Sequence, residues 1–97
     1  MKRPPSEVDL HSQAILRNTA GFTAEEMIDE SIERLRDCLD AAIYHDYAEI
    51  RFIHGRGKGV LRARVYDELA YYKREGRIAS YHPSFQNNDV VVVNLGI

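Results

Sequence analysis

The chain has 97 residues, 44% of them hydrophobic, with a formal net charge of −2, enough for one small domain around a single core. No apolar run approaches the roughly 20 residues of a membrane span, and residues 1–6 lack the apolar stretch of a secretion signal. The single cysteine, Cys38, excludes an internal disulfide and points to a reducing, cytoplasmic setting.

In chain order, residues 1–6 with Pro4 and Pro5 read as a linker or disordered lead, and residues 7–97 as one domain. Glu7 to His11 alternates polar and apolar residues, the pattern of a half-buried strand. A loop follows from 12 to 22. Thr23 and Glu26 then form a capping box, opening a long helix whose core stripe is Ile28, Ile32, Leu35, Leu39 and Ala42 or Ile43. Its end is expected between His45 and Tyr47. Cys38 lies inside this pattern and reads as a packing residue.

Ala48 to Ile53 is the second predicted strand. A second helix starts at Val60 with Leu61, Val65, Leu69 and Tyr72 inward, and Gly76 is its natural stop. Ile78 to Tyr81 is predicted as a third strand ended by Pro83, and Val90 to Val93 as a fourth. The order β-α-β-α-β-β predicts an α/β two-layer sandwich: a four-stranded mixed sheet with two helices on one face. The four valines are apolar towards both faces, which leaves an uncovered face for an adjacent domain or a second copy.

Charge is unevenly spread. Residues 24–47 carry eight acidic side chains against two arginines, whereas residues 50–66 hold Arg51, Arg56, Lys58, Arg62 and Arg64 and no acid. That basic stretch surrounds His54-Gly55-Arg56-Gly57-Lys58-Gly59, between the second strand and the second helix. Glycines at alternate positions let a backbone approach a ligand closely, and a helix N-terminus favours an anion. The pattern suits phosphate.

Two known phosphate loops do not fit it. A P-loop needs a Ser or Thr after Gly-Lys, but Lys58 is followed by Gly59 and Val60. The dinucleotide fingerprint needs a wider spacing to its third glycine and a later acidic residue. A nucleotide cofactor is therefore not expected. The loop residues by themselves leave two readings open, a phosphate cradle and a tight turn with solvated cations.

A strand–helix–strand unit implies a parallel pair, placing the ends of the first two strands on one sheet edge. His11 and His54 should stand there, with Asp9 sharing the face of His11. Asp9, His11 and His54 beside Gly55, Arg56, Gly57, Lys58, Gly59 and Arg62 would supply acid–base groups and phosphate donors for phosphodiester cleavage. The same three ligating side chains allow a divalent metal, although no spacing is diagnostic of one. Taken singly, Asp9 could bond a loop amide, His54 could orient the glycine turn, and His11 could be an idle surface histidine. His45 and His82 read as structural or merely exposed, and Tyr71 and Tyr72 as packing residues.

Asp9-Leu10-His11, a long helix, and Phe52-Ile53-His54-Gly55-Arg56-Gly57-Lys58-Gly59-Val60-Leu61-Arg62 together resemble the Smr (small MutS-related) domain. The resemblance extends from about Glu7 to the C-terminus. It implies a fold like the C-terminal domain of translation initiation factor 3, binding of DNA or RNA, and nicking or endonuclease activity as in several members. Motif by motif, it implies that Asp9 and His11 are catalytic and that His54, Gly55, Gly57 and Gly59 form the site loop. The flanks depart from the family pattern, with Val8 for the usual Leu and Ser12 for the usual Gly. The 12–22 loop and Ser84-Phe85-Gln86 are similar to a branch found at the C-terminus of longer multidomain proteins. Two functions follow: a nucleic-acid-binding domain that also cuts, or a binding or protein-interaction module that does not.

Overall fold

The computed structural model describes residues 1–10, 23–55 and 59–96. Its elements are β1 (Glu7–Asp9), α1 (Ala24–Tyr44), β2 (Glu49–Ile53), α2 (Val60–Arg74), β3 (Ser80–Pro83) and β4 (Val90–Asn94). The sheet order is β1-β2-β4-β3, with β1 and β2 parallel and the other pairings antiparallel. This is the expected mixed sheet, its helices packed on one side. The ends of β1 and β2, the start of β4 and the end of β3 all reach the same edge. In register, Asp9 lies beside Ile53 and Ile53 beside Val90.

Strand alternation decides which face is covered. Val8, Ile50, Phe52, Val91 and Val93 point to the helices and join Ile32, Leu35, Leu39, Ala42, Val65, Leu69 and Tyr72 in one core. The opposite face carries Glu7, Asp9, Arg51, Ile53, Val90, Val92 and His82, as the strand registers require. Val90 and Val92 are nonetheless 6% and 5% exposed. Both belong to an interior strand, with Ile53 and Arg51 of β2 beside them on that face and His82 of β3 beside Val92. The face away from the helices is therefore no bare valine stripe.

The capping box forms as read: Glu26 N–H donates to Thr23 Oγ1 at 3.1 Å, and Thr23 N–H to Glu26 Oε1 at 3.2 Å. Helix α2 closes through Gly76 at φ 74°, with Gly76 N–H to Lys73 O and Arg77 N–H to Tyr72 O. That is the left-handed closure a glycine allows. Strand β3 begins two residues later than the sequence pattern places it. Ile78 is spent on the core directly after the helix closure, and pairing starts at Ser80. Pro83 lies inside β3 rather than beyond it, which an edge strand tolerates because no partner needs its missing N–H.

Of residues 1–6, read as a linker or disordered lead, Met1, Arg3 and Pro4 contact the C-terminal end of α1 and Tyr47 beyond it, and Ser6 O accepts from Arg51 N–H of β2. Pro4 is buried, its carbonyl accepts from the Tyr47 hydroxyl, and Arg3 stands over the Tyr47 ring. His45 Nε2 donates to Met1 O at 2.7 Å. No helix among the described residues is long and apolar enough to cross a membrane.

Candidate functional site

The site is built where β2 gives way to α2. His54 N–H and Gly55 N–H both donate to the Asp89 carbonyl, at 2.9 and 3.2 Å. The exit of β2 is thereby tied to the loop that feeds β4. Gly55 has φ 74° and Gly59 φ 83°, values that side chains on L-residues rarely adopt. The amide of Gly55 is thus engaged within the protein, and its contribution is the turn. Arg56, Gly57 and Lys58 lie outside the described residues.

Helix α2 opens on Gly59 as its N-cap, without a capping side chain and with no acid in its first turn. Ala63 N–H to Gly59 O is its first intrahelical bond, so the amides of Val60, Leu61 and Arg62 have no partner within the helix. Helix α1, in contrast, has a complete capping box and Glu25 and Glu26 in its first turn. One N-terminus has a capping box; among the described residues the other has no side-chain cap, the arrangement in which the helix dipole favours an anion.

His54 is 3% exposed. Its Nδ1 is 3.0 Å from Gly55 O, and because a carbonyl only accepts, Nδ1 is the donor. Nε2 is buried without a hydrogen-bond partner among the described residues, as is the Tyr66 hydroxyl. The two rings meet edge to face at 6.3 Å, and Tyr66 meets Tyr81 at 5.9 Å. The histidine therefore sits on the helix side of the sheet, holding the turn with one ring nitrogen.

Asp9 is exposed and, by alternation with buried Val8 and Leu10, lies on the opposite face. His54 and Asp9 share the sheet edge, as expected, but not a face. His11, expected beside Asp9, lies outside the described residues. Among the described residues there is no cluster of three or more potential metal ligands.

The basic stretch is also less free than the sequence suggests. Arg51 pairs with Glu49 at 2.9 Å and Arg64 with Asp29 at 3.2 Å. Arg62 has no carboxylate partner among the described residues; its guanidinium stands 5.3 Å from the Tyr66 ring centroid. Arg62 is thus the described cation at this edge that is available to a ligand.

Ser31 was not singled out by sequence reasoning. It is 1% exposed, and its hydroxyl donates to Leu10 O at 2.8 Å. It thereby clamps α1 onto the chain directly after Asp9. A polar residue beside Ile32 and Ile28 on the buried stripe was the available signal.

These features define a class: a small two-layer α/β domain with a glycine turn and an open helix N-terminus at the carboxyl edge of its sheet. The chain belongs to the Smr family, whose domain model matches residues 21–96. That span contains the His54–Gly59 loop and begins after Asp9 and His11. In sequence the chain is similar to Endonuclease MutS2 of Gemmatimonas aurantiaca, 39% identical over 54 residues that cover 56% of this chain and 6% of that protein. It is also similar to Endonuclease MutS2 of Fusobacterium nucleatum, 36% identical over 76 residues covering 76% of this chain and 10% of that protein. The chain thus spans about a tenth or less of the length of these relatives. In structure it is similar to the Smr domain of Thermus thermophilus MutS2, with a TM-score of 0.68 and 26% identity, covering 94% of this chain and 98% of that one.

Proposed function

We propose that this domain binds DNA or RNA by its phosphate backbone at the carboxyl edge of the sheet, and that Asp9 and His11 cut the strand held there. The open N-terminus of α2 carries this reading: its first amides and the positive end of its dipole stand beside Arg62. Arg56, Lys58, Gly57 and Gly59 belong to the same anion site. Membership in the Smr family and similarity to proteins named Endonuclease MutS2 support it.

In this mechanism the α2 amides and the loop cations anchor one phosphate of the strand, and the linkage beside it is the one attacked. His11, its imidazole oriented by Asp9, takes a proton from the attacking hydroxyl or water as that oxygen bonds to phosphorus; the P–O bond to the leaving oxygen breaks, and the leaving oxygen takes up a proton from solvent. His54 is a positioning residue, because its Nδ1–H fixes the Gly55 carbonyl and its ring is buried away from Asp9. A divalent ion bound by Asp9 and His11 would serve the same step by activating water.

One observation favours a second reading, binding without cleavage. Asp9 and His54 occupy opposite faces of the sheet, so these two do not share one catalytic pocket.

The test is a binding and cleavage assay on single-stranded, duplex and branched substrates, with and without divalent metal. Binding should weaken steeply with salt and fall in the Arg56→Ala, Lys58→Ala double variant. Cleavage should vanish in Asp9→Ala and in His11→Ala while binding persists. Binding without any cleavage by the unaltered domain selects the second reading, and absent or salt-insensitive binding refutes both.

A further inference from the structure

Phe85 is 95% exposed, on a loop that has every means to be well ordered. Ser84 Oγ accepts from Gln86 N–H at 3.2 Å, and Asn87 Oδ1 accepts from Asp89 N–H at 2.9 Å. These two side-chain turns hold the shoulders of the loop. Ser84 N–H to Val90 O and Val90 N–H to Asn87 O close it onto β4. The loop thus presents a large apolar ring to solvent from a constrained backbone. A lone exposed hydrophobe is ordinary on a protein surface. Three further observations make this one specific.

The first is its neighbour. The His82 ring lies parallel to Phe85, with centroids 5.2 Å apart and planes inclined by 25°. The pair forms a short stack with its outer Phe85 face uncovered. The second is its face. His82 is in register with Val92 and Arg51 on the side of the sheet away from the helices, the side that carries Asp9. The third is its connection to the anion site. The loop ends at Asp89, whose carbonyl holds both His54 N–H and Gly55 N–H. The aromatic stack and the glycine turn are therefore parts of one braced edge.

We infer that Phe85, backed by His82, is a stacking platform for an unpaired nucleobase of the strand whose phosphate the glycine loop holds. The inference rests on the nucleic-acid reading above and adds a substrate class to it: single-stranded or locally unpaired nucleic acid rather than intact duplex. A base in a closed duplex keeps both faces stacked within the helix, and only an unpaired base offers one to the ring. Geometry allows a single strand to reach both features. Asp9, Ile53, Val90 and Ser84 lie in one row across the sheet. Two inter-strand spacings of about 4.8 Å place Ser84 roughly 10 Å from Ile53, which leads into the glycine turn, and nucleotides rise about 3.4 Å each. About three nucleotides span that distance.

The experiment compares the unaltered domain, Phe85→Ala and Phe85→Trp in binding a fluorescein-labelled single-stranded oligonucleotide, made as DNA and as RNA. An abasic strand with the same sugar-phosphate backbone is the second probe. Phe85→Ala should weaken binding of the base-bearing strand about 5- to 150-fold, with the abasic strand bound as before and the salt slope unchanged. The natural chain has no tryptophan, so Phe85→Trp introduces a single reporter. It should keep the affinity and lose emission when a base stacks on it. Arg62→Ala should weaken both strands alike, since it removes a phosphate contact and no stacking.

Equal affinity of Phe85→Ala and the unaltered domain for the base-bearing strand would overturn the platform and leave phosphate binding standing. Equal weakening towards both strands would also overturn it, as would a preference for closed duplex that survives Phe85→Ala. Failure of the unaltered domain to bind any strand would overturn the platform and the nucleic-acid reading together. Phe85 contributes nothing to the core, so the thermal unfolding of Phe85→Ala should match that of the unaltered domain.

Discussion

Replacing Ser31 with alanine tests whether α1 fixes the end of β1, and hence the position of Asp9. The hydroxyl has one proton and two acceptors in reach, Leu10 O at 2.8 Å and Met27 O at 3.1 Å. Met27 O already faces the Ser31 amide along the helix, the normal i to i−4 partner. Leu10 O is the acceptor that loses most. Leu10 is fully buried, and a buried acceptor left without its donor costs about 1–3 kcal/mol. Alanine recovers about 0.5 kcal/mol of helix propensity. The net loss should therefore be about 0.5–2.5 kcal/mol. Urea denaturation should show a lower midpoint with an unchanged slope. The Leu10 amide, which donates to Ile53 O at 2.8 Å, should also exchange its hydrogen faster. A Ser31→Ala domain as stable as the original, with unaltered exchange at Leu10, would refute the clamp.

Gly59→Ala should cost about 1–2 kcal/mol through the left-handed backbone alone, because nothing lies within 4 Å of the added methyl. Gly59→Asn should cost less, since asparagine tolerates that conformation, and equal melting temperatures for the two variants would contradict this. Phe52→Ala, at a fully buried position in the centre of the sheet, should lose about 3–5 kcal/mol in chemical denaturation; a loss below about 1 kcal/mol would mean the core collapses freely around the gap. Burial pushes the Tyr72 hydroxyl and the Cys38 thiol up from their ordinary values, and for Tyr72 the hydrogen bond to Asp40 adds to the rise. Both are held protonated by the fold, so their contribution is complete below about pH 8.5 and declines as pH rises past the unfolded values of roughly 8.5 and 10. Stability followed against pH should fall on the alkaline side, and Tyr72→Phe should flatten the part above about pH 10. An identical alkaline slope in that variant would refute the assignment.

Periodicity made most of this fold readable. The α1 stripe, the capping box and the closure at Gly76 are local signals, each written within one or two helical turns, and they appear where the residues place them. The shift of β3 has a different origin. Ile78 to Tyr81 carries strand-forming residues, but the chain leaving α2 must first bury Ile78, and pairing with β4 sets the register from Ser80. That is tertiary information. The basic stretch shows the same limit. Residues 50–66 contain no acid, yet Arg51 and Arg64 find Glu49 and Asp29 just outside it or across the helix pair. Such exposed pairs contribute little stability, but they remove two cations from the phosphate footprint. The tie from His54 and Gly55 to Asp89 O joins segments more than thirty residues apart through a backbone atom, and no side-chain pattern announces it.

The division of the site between two faces has a simple cause. Asp9 and Ile53 are register partners and point away from the helices, so His54, one residue further, turns towards them. Motif spacing alone could not distinguish this arrangement from a converging triad, because both place the residues at one edge. The consequence is a separation of tasks. On the helix side, His54 and Tyr66 brace the turn that leads to α2, and Arg62 stands over Tyr66 at the helix mouth. On the side away from the helices lie Asp9 and the His82–Phe85 stack, at opposite ends of a row of β-strands. In the proposed reading, a strand anchored by a phosphate at the α2 amides continues with its neighbouring nucleotides across the face away from the helices. Chemistry carried by Asp9 and His11 would then act on a linkage beside the anchored phosphate rather than on that phosphate itself. In the proposed reading the anchor sets the register of the strand, and the face away from the helices determines what is done to it.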